Sequence, residues 1–572
     1  MNNSQYARAD LKAWESGKFD NFFTADTNLQ HVLLYSAGAD QYIRMENNLA
    51  AFGQDCATHI DKSAKVEDQI GNHPRLQRYN GIGERLEEIE FHPNHDTTGR
   101  MIWKSGILAL QRTPGHTVHQ MALLYLLAHN GEAGHMCSIA CTSGLIRALQ
   151  VAADDALRDK YLPPLLDPNY ETMAHGAQFL TEVQGGSDVG ANALAAADHG
   201  DGTWRLNGEK WFCSNINAQQ FLVMARPENS AEGTRGLGLF LVPRTLDDGE
   251  TNGFHIRRLK DKLGTRTLAS AELDFRDAVA YPVGAVDAGF KHTVELVLNT
   301  SRLINAVACA GVMRRAYLEA ASYACTRQAF GNTIATYPLV QETVADILSE
   351  GYAATSSGFA LAVLLDRLET GQGSDDDKAV YRMLVNLNKY ITSIRGTEVV
   401  HKAIEVFGGN GAIESFSILP RLYRDMVVLE SWEGTHNVLC LQVLRDIARY
   451  NLHEPFLRYI DTRLATVTTA ELKPLVGRVQ AAMARTTTML DTIMVGDVLY
   501  QQAHARRLAD ACSHLVQAAL LLAEAQWELD NELPTIKPDV ITHFVNAHLN
   551  PGYDPLADDD YLPRLERLMM SY

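Results

Sequence analysis

The chain has 572 residues, 46% of them hydrophobic and 21% charged, with a formal net charge of −18. That length and composition describe a folded protein of two to four domains, and the acidic balance repels nucleic acid and anionic membrane except where a basic patch overrides it. The eight cysteines include no C-x-x-C pair and no Cys/His cluster at zinc-finger spacing, so buried free thiols in a reducing compartment are expected rather than a metal site or a disulfide framework.

The N-terminal stretch MNNSQYARADLK has no apolar h-region and no Arg-rich run, and LMMSY at the C-terminus is not a peroxisomal address. The most apolar runs, MALLYLLA and FALAVLLD, fall far short of the ~20 residues a spanning helix needs, so a cytoplasmic protein with no membrane span is expected. Residues 1–95 read as an N-terminal extension of short helices and loops. Over 96–174, GILALQ, HQMALLYLLAHN and TSGLIRALQVAADDAL repeat apolar side chains at helical spacing, which predicts an N-terminal helical domain.

From 175 to 286 the texture changes to short alternating runs bounded by Gly-Gly, Asp-Gly and Asn-Gly, which predicts a small antiparallel barrel or sandwich, with LNG at 206–208 as a hairpin turn. Helical periodicity returns over 287–450. Phe290 to Ala329 lacks Pro and reads as one long helix that tolerates Gly311, and Pro338 and GQGSDDD at 371–377 mark element ends. Residues 451–572 form a C-terminal helical extension.

Four segments concentrate Gly, hydroxyls and aromatics. In FLTEVQGGSDVG (179–190), Gly185 and Gly186 with Thr181 and Ser187 form either an ordinary turn or a cradle for phosphate or ring oxygens, without the G-x-G-x-x-G spacing of a Rossmann fingerprint. In KWFCSN (210–215), Phe212 and Ser214 share a strand face, fit either for a core or for stacking on a flat heterocycle. Arg327 in TRQAFGN, ending the long helix, suits a surface or a phosphate. EVFGGNGAIE (405–414) is a helix C-cap or a backbone surface over a pyrophosphate. Finally, SWEGTHN (431–437) sets Glu433 between Trp and Gly: a surface turn, or a base whose pKa desolvation raises toward neutrality.

The succession TEVQGGSD, LNGEKWFCSN, LKDKLGTRTLASAELDF, TRQAFGN, VFGGNGAIE and RLYRDMVVLESWEGTHN resembles the acyl-CoA dehydrogenase family over roughly residues 100–450. QGGSD, RLKDKLG, RLYRDM ahead of WEG, RYNGIGERLEEIEFHP near residue 78 and the added tail resemble its AidB-type branch. The resemblance implies an α+β fold: N-terminal helical domain, middle antiparallel β-domain and C-terminal helical bundle with an added helical tail. It implies FAD between β-domain and bundle, in a homodimer or homotetramer whose neighbouring subunit completes the site.

Carried over by position, Leu180, Thr181, Gly186 and Ser187 would line the flavin, Phe212 would lie against its ring and Ser214 would reach its reactive edge. Arg327, Phe330, Glu405, Gly408 and Gly409 would hold the adenosine and pyrophosphate of the partner subunit's FAD, with Thr435 and Asn437 also at the cofactor. Glu433 matches the base that removes the α-proton of an acyl-CoA thioester as hydride passes to flavin N5, and Ser187, Asn299, Arg302 and Gly434 match positions at the substrate. Ser301, where some members place the base, cannot serve. An electron-transfer flavoprotein or similar acceptor is implied. Two rivals are a DNA-binding or DNA-protecting AidB-like flavoprotein with weak dehydrogenase activity and an acyl-CoA oxidase. Residues 451–572 carry 10 Lys+Arg against 16 Asp+Glu, which argues against phosphate binding despite the basic run HARR at 504–507.

Overall fold

Side-chain oxygens start several of the principal helices. Asp26, Asp154 and Asp497 each accept a backbone N–H three residues on, and Ser374 forms a reciprocal capping box with Asp377. The computed structural model describes residues 3–572. It begins with α1 (Asn3–Ser16), α2 (Thr27–Ala37), α3 (Ala39–Asp55) and α4 (Asp61–Glu67). A β-hairpin follows, β1 (Arg75–Tyr79) and β2 (Arg85–Glu90), where the sequence reading expected only short helices and loops. Its alternation is weak because most of its residues are exposed; Leu76 and Ile89 pack against the neighbouring β-domain core, and buried Glu87 accepts the backbone N–H of Ile256 there at 2.9 Å.

Helices α5 (Pro93–Lys104), α6 (Thr117–Ala128), α7 (Ala133–Ala152) and α8 (Asp155–Leu165) come next. α6 is buried along nearly its whole length, which is why it is apolar on all sides.

The β-domain has β3 (Gly176–Phe179), β4 (Ala195–Asp198), β5 (Trp204–Ser214), β6 (Gln220–Pro227), β7 (Gly238–Pro243), β8 (Phe254–Leu259) and β9 (Ser270–Pro282). Strands β6, β4, β5, β9 and β7 close on themselves through a β6–β7 pairing, with β3 and β8 attached. Most pairings are antiparallel, but β6 pairs in parallel with both β3 and β4. LNG at 206–208 is not a hairpin turn: β5 runs straight through it, and the register against β9 shifts between Leu206 and Gly208. A bulge absorbs the Asn-Gly that the sequence reading took for a reversal.

The helix entering the bundle starts as α9 (Gly289–His292), widens through a π-helical stretch at Thr293–Leu298 and continues as α10 (Asn299–Thr326). Gly311 does more than fit: a Cβ there would lie 2.3 Å from the carbonyl oxygen of Tyr125 on α6. The two-residue pairing of β10 (Gln328–Ala329) with β11 (Asn332–Thr333) precedes α11 (Pro338–Glu369), α12 (Asp375–Phe407), α13 (Leu419–Ser431) and α14 (His436–Tyr450).

The tail, α15 (His453–Thr466), α16 (Lys473–Met494), α17 (Val498–Asp530), α18 (Lys537–His548) and α19 (Tyr561–Met570), packs on α11, α12 and α14. Buried Lys537 ties Glu524 and Glu528 at 2.7 Å each, and His31 of α2 meets Glu528, so the tail also anchors the N-terminus. The helices Val286–Thr326 and Val498–Asp530 are long and apolar enough to cross a membrane by composition, yet 89% of each apolar window is buried inside the protein.

Candidate active site

Glu433 follows α13 with a φ of +57°, a left-handed backbone that is costly for a residue with a Cβ. Two buried cations and the half-buried Gln178 hold that loop. Arg302 Nε donates to the Glu433 carbonyl at 3.0 Å while Nη1 donates to Asn386 at 2.8 Å. Lys389, fully buried in α12, donates to the carbonyls of Glu430 and Gly434, both at 2.8 Å. Gln178 of β3 donates from Nε2 to the Glu433 carboxylate at 3.2 Å and to Ser301 at 3.1 Å.

The electrostatics divide along these contacts. Burial pushes the half-buried Glu433 carboxyl up to about 7, against the opposing pull of Arg302, Lys389 and the Gln178 hydrogen bond. Burial likewise pulls Lys389 down to about 8 and Arg302 down to about 10. Cys137 and Cys141 on α7, with Leu268 and Trp432, form a small apolar cluster beside the carboxylate. Gly144 lies one turn on, where a Cβ would meet Gln178 and Val297 at 3.0 Å.

On the neighbouring barrel, Cys213 is buried inside, while Phe212 (53% exposed) and Ser214 turn to the opposite face. Ser214 Oγ meets Ser270 Oγ at 3.0 Å, and Ser270 accepts from Lys262 at 3.1 Å. Burial pulls Lys262 down to about 8. Gly186 packs over Thr181, whose Oγ1 would lie 2.5 Å from an added Cβ. Leu180 and Thr181 are half-buried and Ser187 is exposed.

Three family descriptions match successive parts of the chain: Adaptive response protein AidB N-terminal domain over 15–172, Acyl-CoA dehydrogenase middle domain over 177–278, and Acyl-CoA dehydrogenase C-terminal domain over 287–448. AidB of Escherichia coli (strain K12) is 33% identical over 425 residues, 69% of this chain and 73% of that protein. This chain belongs to the acyl-CoA dehydrogenase family. It is an AidB-type acyl-CoA dehydrogenase, an FAD-dependent oxidoreductase.

Among solved structures, Caenorhabditis elegans ACDH-11 in complex with C11-CoA superposes with a TM-score of 0.87 at 27% identity, covering 94% of this chain and 93% of that one. An acyl-CoA dehydrogenase complexed with FAD from Bacillus anthracis shares the fold, with a TM-score of 0.70 at 21% identity over 84% of this chain and 89% of that one.

Positions matched to the family's flavin and substrate fall into three groups, with Thr435 and Asn437 besides. Leu180, Thr181, Gly186, Ser187, Phe212 and Ser214 lie on the barrel, while Asn299, Arg302, Glu433 and Gly434 gather at the start of α10. Arg327, Phe330 (95% exposed) and the exposed Glu405, Gly408 and Gly409 lie at the far end of that helix, Arg327 being 25 residues, or about 37 Å, from Arg302. Thr435 is exposed at the N-cap of α14, and Asn437 accepts from Arg506 of the tail at 2.7 Å.

The residues present fit a flavin and a thioester. Gln178 Oε1 and Asn299 Oδ1 are buried without a hydrogen-bond partner among the described residues, and the rings of Phe212 and Phe330 are exposed, Phe212 carrying Lys260 at 4.7 Å and Phe330 meeting Tyr337 edge-on. Sequence reading missed Gln178, Lys262 and Lys389. The only available signals were the third basic residue in RLKDKLG and a lone Lys amid the apolar part of α12.

Proposed function

We propose that this acyl-CoA dehydrogenase desaturates the α,β-bond of an acyl-CoA thioester with Glu433 as the base. The single observation that carries the reading is the Glu433 carboxyl, raised to about 7 by burial and hydrogen-bonded by Gln178, on a loop whose backbone carbonyls are held by Arg302 and Lys389. In the balanced reaction the α-proton passes to the Glu433 carboxylate, the β-hydrogen leaves with its electron pair, and the carbon–carbon double bond forms between them. FAD, when bound, supplies the acceptor for that hydride.

The protein's own part is positional. Trp432, Cys137, Cys141 and Leu268 exclude water around the base, and the Glu433 backbone N–H is a candidate donor to the thioester carbonyl, where enolate charge develops. Thr181, Gly186, Phe212 and Ser214 are assigned to the flavin ring, with Leu180 and Ser187 beside them. Ser187, Asn299, Arg302 and Gly434 are assigned to the CoA ester. Because Arg327, Phe330, Glu405, Gly408 and Gly409 stand about 37 Å along the helix, with Thr435 and Asn437 exposed near the base, they are assigned to a flavin shared with a second copy of the chain, in a homo-oligomer.

Anaerobic mixing with short, medium, long, branched and aromatic acyl-CoAs tests the reading: one class is expected to bleach the flavin. The bleaching rate is expected to rise with pH through about 7, because Glu433 accepts a proton only as carboxylate and burial holds it protonated below that value. A flavin that no acyl-CoA bleaches, or a rate that does not change between pH 6 and pH 8 (about one unit either side of the expected midpoint), rejects Glu433 as the base. Readmitting oxygen then separates oxidase from dehydrogenase turnover.

A further inference from the structure

Four buried ionisable side chains gather in the N-terminal half, apart from the Glu433 pocket. Glu67 ends α4, His95 lies in the first turn of α5, Glu132 caps α7 and His135 is its third residue. Their exposures are 2%, 6%, 1% and 0%. Neither carboxylate is paired with a Lys or Arg among the described residues, an unusual state for two acids buried together.

His95, Glu132 and His135 each have one side committed and one side free, while both oxygens of Glu67 are committed. His135 Nε2 faces the His95 carbonyl at 2.9 Å, which fixes the Nε2–H tautomer, and its Nδ1 is buried with no partner among the described residues. Glu132 Oε2 accepts the His135 backbone N–H at 2.8 Å, and its Oε1 is buried with no partner among the described residues. His95 Nδ1 faces Glu67 Oε2 at 3.4 Å, and the other Glu67 oxygen accepts from Ser63 and Thr98 at 3.1 Å each, so the lone pair of His95 is left on Nε2. One donor atom from each of His95, Glu132 and His135 lies within 4.8 Å of the others, the one such group among the described residues.

We propose that His95, Glu132 and His135 bind one divalent transition-metal ion, Zn²⁺ foremost. Two imidazole nitrogens and one carboxylate oxygen suit zinc and its first-row neighbours, whereas Mg²⁺ and Ca²⁺ favour all-oxygen sets. Second partners lie alongside the donors: a carboxylate beside His95, a backbone carbonyl beside His135 and a backbone N–H on Glu132. His95 stacks between Phe91 and His135, with centroids 4.1 and 4.0 Å apart, so in-plane coordination requires an imidazole to turn about its Cβ–Cγ bond. Trp103 and Tyr170 pack edge-on around His135. An ion there joins α5 to the start of α7, the helix that presents Cys137 and Cys141 to the active site.

The test uses the FAD-loaded full chain, stripped with chelator, supplied with Zn²⁺ and freed of excess by gel filtration, with metal counted by mass spectrometry. About one zinc per chain is expected, with a higher Tm than the stripped protein and no uptake of Mg²⁺. Glu132→Gln and His135→Asn should each lose at least about ten-fold in affinity. Glu67→Gln, which removes no donor and serves if those variants fail to fold, should lose about 10–100-fold. Cys137→Ala/Cys141→Ala should keep the full equivalent. Wild type retaining under about a tenth of an equivalent, or zinc that survives the Glu and His changes, overturns the proposal.

Discussion

Glu433→Gln is expected to keep FAD and bind acyl-CoA but to bleach about 10²–10⁴-fold more slowly than the parent chain, the range a positioned general base contributes. Gln preserves the shape of the side chain and can still accept from Gln178, so the left-handed turn held by Arg302 and Lys389 should survive. What is lost is the proton acceptor. Ser301, the neighbouring group bridged by Gln178, has no basicity to replace it. Stopped-flow absorbance under anaerobic conditions reads the rate, and the flavin content of the purified variant reads the fold. Bleaching at the parental rate would remove Glu433 from the reaction.

How much of this was legible depended on distance along the chain. The carboxylate between Trp432 and Gly434, the glycine-rich turn at 185–186 and the pair Phe212 and Ser214 on one strand face each fit an ordinary turn or core as well as a site when read singly, and only their succession along the chain pointed to a site. The order of helical and strand segments followed from periodicities of 3.6 and 2. Hairpin β1–β2 was not visible, because its exposed strands lack an apolar alternation. LNG misled because Asn-Gly serves a bulge as readily as a turn, and only pairing with β9 decides between them. Gln178 sits on a four-residue strand, too short for its facing to be read, and it gains meaning only from Ser301 and Glu433, which lie 123 and 255 residues away. The His95, Glu132 and His135 group comes from a helix start and a cap separated by α6, a spacing that no linear metal motif covers.

Lys389→Met carries the second large expected effect, and it separates electrostatics from geometry. The Lys389 ammonium satisfies two carbonyls, one in the last turn of α13 and one in the loop behind it, and both are stranded by a side chain of similar length without donors. Each unsatisfied buried acceptor costs about 1–3 kcal/mol. Removing a buried cation returns part of that, so a loss of about 2–4 kcal/mol is expected, read as a lower midpoint in urea.

Bleaching should slow at least about ten-fold, since misplacing a base by about 1 Å can cost 10²-fold. The pH profile assigns the cause. The Lys389 charge lowers the Glu433 pKa, so its removal raises that pKa and moves the inflection above about 7. If charge were the whole effect, raising the pH past the new inflection would restore the parental rate. We expect recovery to remain incomplete, because the carbonyls of Glu430 and Gly434 fix where the carboxylate stands as well as how readily it ionises. Full recovery at high pH would reduce Lys389 to a charge, and an unchanged rate and inflection at neutral pH would exclude it from positioning the base.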